Sequence, residues 1–308
     1  MNKHYIQKEK RFWTNFLNSL MSKIFFFSAF VAVVSLLLIT IYVFYNGIKI
    51  FNTVSIGDFI FGYNWEPVTQ KLFGILPMII TSFYVTFGAI IISTPLGIAC
   101  SIFLAEIAPQ QAQQIIRPAV QLLAGIPSVI YGLFGLAFIV PLIQNFAEVS
   151  GLSILAAIII LAIMILPTII SISEDAIRSV PKEMRDSSIA LGTTKWQTIY
   201  GTVLPASSSG LITAVVLALG RAFGEAMAVK MVIGNTQSIP DFSLGSWFGL
   251  LSLARTLTTN IIGDIEYAEP GPHQNALFAT GAILFIFIIA TNAIASLLLK
   301  KAYRVKKA

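Results

Sequence analysis

The sequence alternates between long apolar runs and shorter polar segments. A helix needs about 20 mainly apolar residues to cross the hydrocarbon core of a bilayer. Six runs of about that length or more lie at 24–45, 75–104, 119–142, 152–173, 204–230 and 275–299. The pattern therefore predicts an all-α integral membrane protein with six transmembrane helices.

The apolar runs also divide the chain into regions. Residues 24–45 are expected to be a retained first transmembrane helix. The run is too long for a signal-peptide core, and "YNGIKIF" follows it instead of a small-residue cleavage site. Residues 75–299 hold the other five helices and form the core. We expect the basic segments 1–23 and 300–308 to be cytoplasmic.

Two connections, 46–74 and 231–273, are long. The second contains the apolar piece "WFGLLSLA" (247–254), which is too short to span a bilayer and favours a re-entrant or surface helix. The acidic residues of this connection are interpreted as a solvated face: Asp241, Asp264, Glu266 and Glu269.

Composition supports the membrane assignment. The 308 residues are 56% hydrophobic and 11% charged, whereas a soluble domain carries about 25% charged residues. The net charge of +6 reflects topology, so no nucleic-acid partner is expected. Fifteen lysines and arginines flank the spans on one side and three on the other. The positive-inside rule, with an even number of spans, predicts that both termini are cytoplasmic.

Few residues are available for metal binding or nucleophilic catalysis. Cys100 is the single cysteine, so the chain cannot form an internal disulfide. The two histidines, His4 and His273, lie near the N-terminus and in a polar connection. We therefore predict no catalytic residues, no metal site and no cofactor in this chain.

Glycine and proline interrupt the second and third runs. Small residues let helices approach closely, and proline bends them. We interpret these positions as helix packing rather than ligand contact: Pro95, Gly97, Gly125, Pro127, Gly132 and Gly135.

The polar segment 174–204 between the fourth and fifth runs is longer than a minimal connection. Pro181 suits a first helical turn, Gly192 suits a left-handed helix stop, and Thr194 with Gln197 forms a capping-box pattern. Pro205 is then predicted to open the fifth span. These turn and capping residues indicate a helix–glycine–helix elbow. From these residues alone, a docking element and an ordinary amphipathic connector both fit.

The elbow resembles the "EAA" loop of ABC-importer permeases, E-A-A-x3-G-x9-I-x-L-P. The match begins at Asp186, Ser187 and Ser188, passes Gly192, and ends at Leu204 and Pro205. It departs from the pattern where Asp replaces Glu, where Ser replaces each Ala, and at Thr202, which replaces Ile. The resemblance implies that this elbow couples the permease to an ATP-hydrolysing subunit, through Asp186, Ser187, Gly192, Leu204 and Pro205.

Three further stretches resemble the phosphate-specific, PstC-type branch of that family: "GIPSVIYGLFG" (125–135), "GRAFGEAMAV" (220–229) and "IGN" (233–235). The resemblance implies a type I ABC importer permease fold in a prokaryotic plasma membrane, the inner membrane in a Gram-negative cell. It also implies a second, PstA-like permease, two ATP-binding subunits and an external phosphate-binding protein. The sequence has no G-x4-G-K-[ST] pattern, so ATP is expected to bind the partner subunits.

Arg221 and Glu225 interrupt the fifth apolar run. Four residues apart on a helix, they would share one face, and the cost of charge in hydrocarbon would turn that face into the bundle or a polar cavity. The pair could be a structural ion pair or a substrate site on the translocation path. Lys230, near the outer end, is interpreted as a snorkelling anchor rather than an anion attractor.

The substrate-site interpretation can be stated in chemical terms. A guanidinium can hold two oxygens of a tetrahedral oxyanion. The Glu225 carboxylate could accept a hydrogen bond from a P–OH group, which sulfate lacks near neutral pH, and so select phosphate. Alternatively, Glu225 could hold Arg221 while no ligand is bound. The sequence leaves both roles open.

Three other functions remain as alternatives. The chain could be a permease for another oxyanion or small solute, or a secondary carrier that needs no ATPase. An intramembrane enzyme ranks last, because no span contains a histidine or a pair of aspartates.

Overall fold

The computed structural model describes residues 3–241 and 249–305. Within that part, the only strands are the antiparallel β1 (Trp65–Glu66) and β2 (Leu72–Phe73). Six helical stretches there are long and apolar enough to cross a membrane: Leu17–Asn52, Leu76–Ile107, Ser128–Ala147, Ile154–Arg178, Lys195–Gly224 and Pro272–Ile294. The all-α, six-span prediction is confirmed.

The described α-helices follow one another in this order: α1 Lys3–Ile48, α2 Ile56–Phe61, α3 Leu76–Ile102, α4 Gln110–Gly125, α5 Ser128–Phe134, α6 Val140–Ala147, α7 Ile154–Arg178, α8 Lys182–Ala190, α9 Lys195–Thr198, α10 Leu204–Gly224, α11 Met227–Val232, α12 Leu257–Asp264 and α13 Pro272–Val305. A 3-10 turn, Lys49–Asn52, follows α1, and three π-helical turns lie at Phe103–Ile107, Gly135–Ile139 and Ile199–Val203.

Each π-helical turn ends two residues before a proline: Pro109, Pro141 or Pro205. A proline has no amide hydrogen, and its ring crowds the carbonyl four residues earlier. A turn closed by an i→i+5 bond is wider, as where the Leu204 amide donates to the Ile199 carbonyl. Pro205 lies in the first turn of α10, as predicted, but the helical stretch of the fifth span begins earlier, at Lys195.

The third predicted run, 119–142, is two separate helices. The chain is extended at Ile126 (φ −68°, ψ 129°) and Pro127 (φ −58°, ψ 140°), because a proline pushes the preceding residue out of the helical region. The span itself is Ser128–Ala147, and α4 packs separately against α7 and the end of α3.

Helix α7 forms the centre of the bundle. In its most apolar stretch 67% of residues are buried, against at most 28% in the other spans. A Cβ on Gly97 would meet Ile169, and one on Gly210 would meet Ala176, so glycines bring α3 and α10 close to α7. The packing role predicted for Gly97 is confirmed.

The glycines of the third span behave differently from one another. A Cβ on Gly132 would lie 3.1 Å from the Ala228 Cα atom, and one on Gly135 would meet Val232 and Ile160. These two glycines pack closely, as predicted. A Cβ on Gly125 would meet nothing within 4 Å, so close approach does not explain that glycine.

Helix α1 lies on α13 at the side of the bundle. A Cβ on Gly47 would lie 3.0 Å from the Ala279 backbone, and the Tyr42 and Phe278 rings meet edge to face at 5.5 Å. Beside this contact a second core joins the β-ribbon to α2, α12 and α13, through residues that include Phe59, Trp65 and Phe73.

The connection after α11 folds back onto the bundle. Within the predicted segment 247–254, residues 247 and 248 lie outside the described part, and 249–254 form turns and a bridge from Ala254 to Gly234 rather than a helix. Carbonyls of Leu250 and Ser252 instead accept the first amides of α7. The short helix of this connection is α12, whose residues Leu257, Thr259 and Asn260 are fully buried.

Asp264, at the end of α12, is not part of a solvated face. Its carboxylate lies 2.5 Å from Arg255 Nη2 and accepts a hydrogen bond of 2.8 Å from the indole of Trp65. The other acidic residues of this connection, Asp241, Glu266 and Glu269, are exposed as expected.

Candidate functional site

The fifth span is broken at Glu225. Helix α10 ends at Gly224, and Glu225 is extended (φ −74°, ψ 129°) before α11 begins at Met227. Glu225 Oε1 accepts a hydrogen bond of 3.1 Å from the Ala228 amide, so the side chain satisfies a free donor in the first turn of α11. The predicted continuous face with Arg221 was therefore wrong.

Arg221 contacts a different helix. Its Nη1 atom donates a hydrogen bond of 3.0 Å to Thr168 Oγ1 of α7, and its side chain is exposed on this chain. Thr168 is about 21 Å along α7 from the first residue, Ile154, at about 1.5 Å per residue. Arg221, on α10, therefore lies beside the middle of α7, which is the most buried span. Within the described chain Arg221 and Glu225 form no ion pair.

The folded-back connection reaches the break from the other side. Thr258 Oγ1 of α12 donates to the Glu225 carbonyl at 2.9 Å, and Lys230 Nζ donates to the Ile262 carbonyl at 3.3 Å. Lys230 is thus held by α12, which gives it a specific protein partner. Non-helical backbone at membrane depth is tolerated where protein or a polar cavity surrounds it.

Arg221 and Glu225 each keep hydrogen-bonding capacity that the described part of the chain does not use. The guanidinium carries five N–H donors, and one of them is used by Thr168 in the described structure. Glu225 Oε1 is occupied by the Ala228 amide, while Oε2 makes no hydrogen bond among the described residues. The structure therefore leaves cationic donors unused at Arg221 and one carboxylate oxygen unused at Glu225.

The elbow has the predicted helix–glycine–helix form. Helix α8 is followed by Gly192 at φ +85°, a left-handed conformation that favours glycine. Thr194 and Gln197 then form the predicted capping box at the start of α9. Pro181 lies just before α8 as its N-cap, with ψ 143°, rather than within the first turn.

Four hydroxyl groups join the two arms of the elbow. Thr193 Oγ1 lies 2.9 Å from both Ser188 Oγ and Thr198 Oγ1, and Thr202 Oγ1 donates to Ser188 Oγ at 3.3 Å. Ser188 and Thr202 are two of the positions where the sequence departs from the EAA pattern. The two substituted side chains contact each other. The two departures from the pattern therefore form one internal polar contact.

The predicted coupling residues lie along this elbow. Asp186 and Ser187 are exposed on α8, and Asp186 makes no ion pair with the described chain. Ser187 lines an open groove of about 400 Å³ together with Glu183, Met184, Ser188, Leu191 and Thr202. Leu191 is 86% exposed, so the elbow presents apolar surface beside polar groups.

Leu204 and Pro205 lie where the elbow joins α10. Leu204 packs against a small core of Ile177, Val180 and Val203, and Pro205 is exposed. These two residues are thus separated from Gly192 by α9 and the π-helical turn.

Two ionic clusters beneath the elbow were missed by sequence reasoning. Glu174 Oε1 lies 2.5 Å from Arg117 Nη2 and 3.0 Å from Arg178 Nε. Glu106 Oε1 lies 2.8 Å from Arg185 Nη2. Only the Glu174–Arg178 pair, at spacing i,i+4, had a local signal, because the partners of the other pairs lie 57 and 79 residues apart in the chain. Among the described residues no group of three His, Cys, Asp or Glu could hold a metal ion.

Comparison with known proteins identifies relatives along most of the chain. Residues 97–302 match the model of a family described as "Binding-protein-dependent transport system inner membrane component". YqgH of Bacillus subtilis, a probable ABC transporter permease protein, is 42% identical over 277 residues, 87% of each chain. The phosphate transport system permease protein PstC of Mesorhizobium japonicum is 36% identical over 264 residues, 79% of this chain and 78% of that protein.

A solved structure shares the fold. A chain of a bacterial ABC transporter involved in the import of the acidic polysaccharide alginate aligns with a TM-score of 0.64 and 14% sequence identity. The alignment covers 94% of this chain and 99% of that chain. At this identity the likeness concerns the path of the backbone.

Proposed function

The chain belongs to the family of binding-protein-dependent transport system inner membrane components, and from that premise we propose that it is the permease subunit of an ATP-driven importer of inorganic phosphate. As an ABC-importer permease it is a multi-pass membrane protein and not itself an enzyme. Family membership displaces the secondary carrier and the intramembrane enzyme considered above. Phosphate is the proposed cargo because the PstC relative is a phosphate permease.

The observation that carries the proposal is the environment of Arg221. A charged residue inside a span costs about 2.5–3.5 kcal/mol on insertion scales, and such residues face a bundle interior or a water-filled cavity. Arg221 is exposed, and among the described residues its side chain hydrogen-bonds only to Thr168. We place it on the translocation path, where its remaining donors bind oxyanion oxygens.

Glu225 takes the selective role. Because its Oε1 atom caps α11 and Thr168 holds Arg221, the carboxylate is not needed to hold the guanidinium. In this proposal its Oε2 atom, which makes no hydrogen bond among the described residues, accepts one from a protonated phosphate oxygen. Sulfate has no such proton near neutral pH and meets repulsion instead.

The elbow takes the coupling role. Asp186, Ser187 and Gly192 lie on its exposed surface, and Leu204 and Pro205 join it to α10. We assign this surface to an ATP-binding subunit, which binds the ATP. The proposed assembly has a second, PstA-like permease, two ATP-binding subunits and an external phosphate-binding protein. Both termini and the elbow lie in the cytoplasm of a prokaryote.

Replacing Arg221 tests the proposal. Arg221→Gln removes the cation but retains an amide that can donate to Thr168. In vesicles containing the complete transporter, we expect ATP-dependent phosphate uptake to fall by about tenfold or more, since a hydrogen bond to a charged group contributes about 1.5–3 kcal/mol. Assembly with the ATP-binding subunits should be unchanged.

Lys71→Gln provides the control, because it removes a cation from the connection between β1 and β2. Its uptake should match wild type. Uptake near wild type in a fully assembled Arg221→Gln complex would refute the transport role of Arg221.

A further inference from the structure

Arg185 joins the elbow to two other helices. From α8, its Nε and Nη2 atoms donate to Glu106 Oε1 at 3.1 and 2.8 Å. Nη2 also donates to the Ile177 carbonyl at 2.8 Å, and Nη1 donates to the Val180 carbonyl. The side chain thus binds the π-helical end of α3, where Glu106 lies, and the carbonyls at the end of α7.

A second arginine binds the same π-helical turn. Arg178 Nη2 donates to the Leu104 carbonyl at 3.1 Å, and Arg178 Nε donates to Glu174 Oε1 at 3.0 Å. The turn 103–107 is therefore held near its start by Arg178 and near its end by Arg185. Helix α3 ends in a socket formed by α7 and the elbow.

The Arg185–Glu106 contact is partly buried. The two side chains retain 20% and 12% of their exposure, so solvent screens the pair less than it screens a surface salt bridge. The guanidinium also donates to the Ile177 carbonyl in the last turn of α7 and to the Val180 carbonyl just after that helix. Such a network fixes geometry, because rotation of either partner leaves several buried groups unpaired.

Helix α3 extends from this socket to the broken span. Near its other end, Phe83 meets Phe223 edge to face at 5.4 Å, and Phe223 lies two residues before Glu225. Phe83 and Glu106 are about 35 Å apart along a helix of about 1.5 Å rise per residue. One helix therefore connects the elbow to the neighbourhood of Arg221, although residues 174–204 are joined in sequence only to α7 and α10.

We infer that the Arg185–Glu106 contact is the link through which the elbow moves α3. Arg185 and Glu106 are positioning residues: they move α8 and α3 as one body, and α3 then displaces Phe223 beside the break. The inference rests on the proposed function, in which an ATP-binding subunit docks on the elbow. It adds a second route from elbow to site, distinct from the covalent route through 199–203.

The first test measures phosphate uptake per ATP hydrolysed in vesicles with the complete transporter. Glu106→Gln removes the charge and leaves the Arg185–carbonyl bonds in place. We expect ATP hydrolysis within about twofold of wild type and uptake per ATP reduced by about tenfold, within the 5–150-fold range of typical coupling between sites. Glu266→Gln makes the same substitution at an exposed acid outside the elbow and should retain the wild-type ratio.

The second test does not depend on the cargo. Spin labels at Ile189 on α8 and Phe103 on the π-helical turn, both exposed, report the distance between α8 and α3 after Cys100→Ser removes the native thiol. The wild-type distance should be the same without nucleotide and in the ATP-trapped complex. In Glu106→Gln the distance should differ between the two states.

The outcomes separate the two proposals. A wild-type complex that takes up no phosphate would refute the proposed cargo, while the label distances would still test the link. A wild-type distance that shifts on ATP trapping would overturn the inference. So would a Glu106→Gln complex that keeps both the wild-type uptake per ATP and a constant distance.

Discussion

Arg221 has more hydrogen-bonding capacity than this chain uses. Of the five N–H donors of a guanidinium, one reaches Thr168 in the described structure. In the proposed role, such a side chain would bind a solute oxyanion without first breaking an ion pair. Weak holding by a neutral hydroxyl also suits a transport site, because a site that binds its cargo tightly would retain it.

At Glu225 the charge and the cap can be tested separately. Glu225→Gln keeps an oxygen that accepts the Ala228 amide but removes the negative charge. We predict that the preference for phosphate over sulfate uptake narrows by about tenfold, as expected for loss of a charge-assisted hydrogen bond and of repulsion. Competitive uptake of labelled phosphate and sulfate measures this preference.

Glu225→Ala serves as the comparison, because it removes the cap as well. Loss of a helix cap costs about 1 kcal/mol, so the alanine variant should also lower the thermal stability of the complex. A glutamine variant with the wild-type preference would show that Glu225 does not select the anion.

Among the elements, the elbow follows the EAA pattern of the family, and two of its departures from that pattern lie in contact with each other. Ser188 and Thr202 replace small and apolar residues of the pattern, and they contact each other at 3.3 Å within a hydroxyl cluster. Restoring one family residue alone would leave the other hydroxyl with fewer partners. The two positions should therefore behave as a pair.

A double-mutant cycle tests this pairing. We predict that Ser188→Ala and Thr202→Ile each destabilise the elbow by about 0.5–1.5 kcal/mol, the net contribution of a hydrogen bond. The double variant should be less destabilised than the sum, since both partners are then apolar. Resistance to proteolysis in the 182–204 segment reports the stability. Strict additivity would contradict the pairing.

Gly192 tests whether the elbow is a docking surface. A Cβ there would meet nothing within 4 Å on this chain, while the left-handed backbone at φ +85° disfavours most side chains. We predict that Gly192→Lys inserts and assembles but lowers phosphate uptake per ATP, because a long cation enters the interface. Uptake assays with parallel ATPase measurements give the phosphate uptake per ATP of this variant.

Gly192→Asn is the matched control, since asparagine tolerates the left-handed region and adds little bulk. It should retain coupling. A Gly192→Lys complex with normal uptake per ATP would remove Gly192 from the coupling surface.

Hydropathy predicted the six spans because each requires a long apolar run. An apolar run does not reveal where a helix is interrupted. The breaks at Ile126–Pro127 and Glu225 were missed because apolar residues continue across both. Pro127 and Gly224 were the available signals. The capping box and the left-handed Gly192 were predictable because their chemistry is local.

The ionic clusters were not predictable in this way. Arg117, Arg185 and Glu106 meet partners that are distant in the chain, and the two arginines had been counted only as topological charges. Their pairing depends on how α3, α4 and α7 pack, which single-residue patterns do not encode. For the same reason, the contact between Thr168 and Arg221 had no sequence signal.

At the scale of the whole molecule, the proposed function treats these elements as one mechanical unit. The elbow lies at one end, the broken span and α12 lie towards the other, and α3, α7 and α10 connect them. In the proposed assembly the chain supplies the path and the coupling surface, and the proposed partners supply ATP hydrolysis and delivery of the anion. The central claim is that this unit imports phosphate at the expense of ATP.

That claim is tested most directly by uptake into vesicles that contain the purified complete transporter and its external binding protein. Labelled phosphate and labelled sulfate are measured inside the vesicles with and without ATP on the side of the ATP-binding subunits. The account predicts that phosphate accumulates only with ATP and that sulfate does not accumulate. Accumulation of phosphate without ATP, or equal accumulation of sulfate, would contradict it.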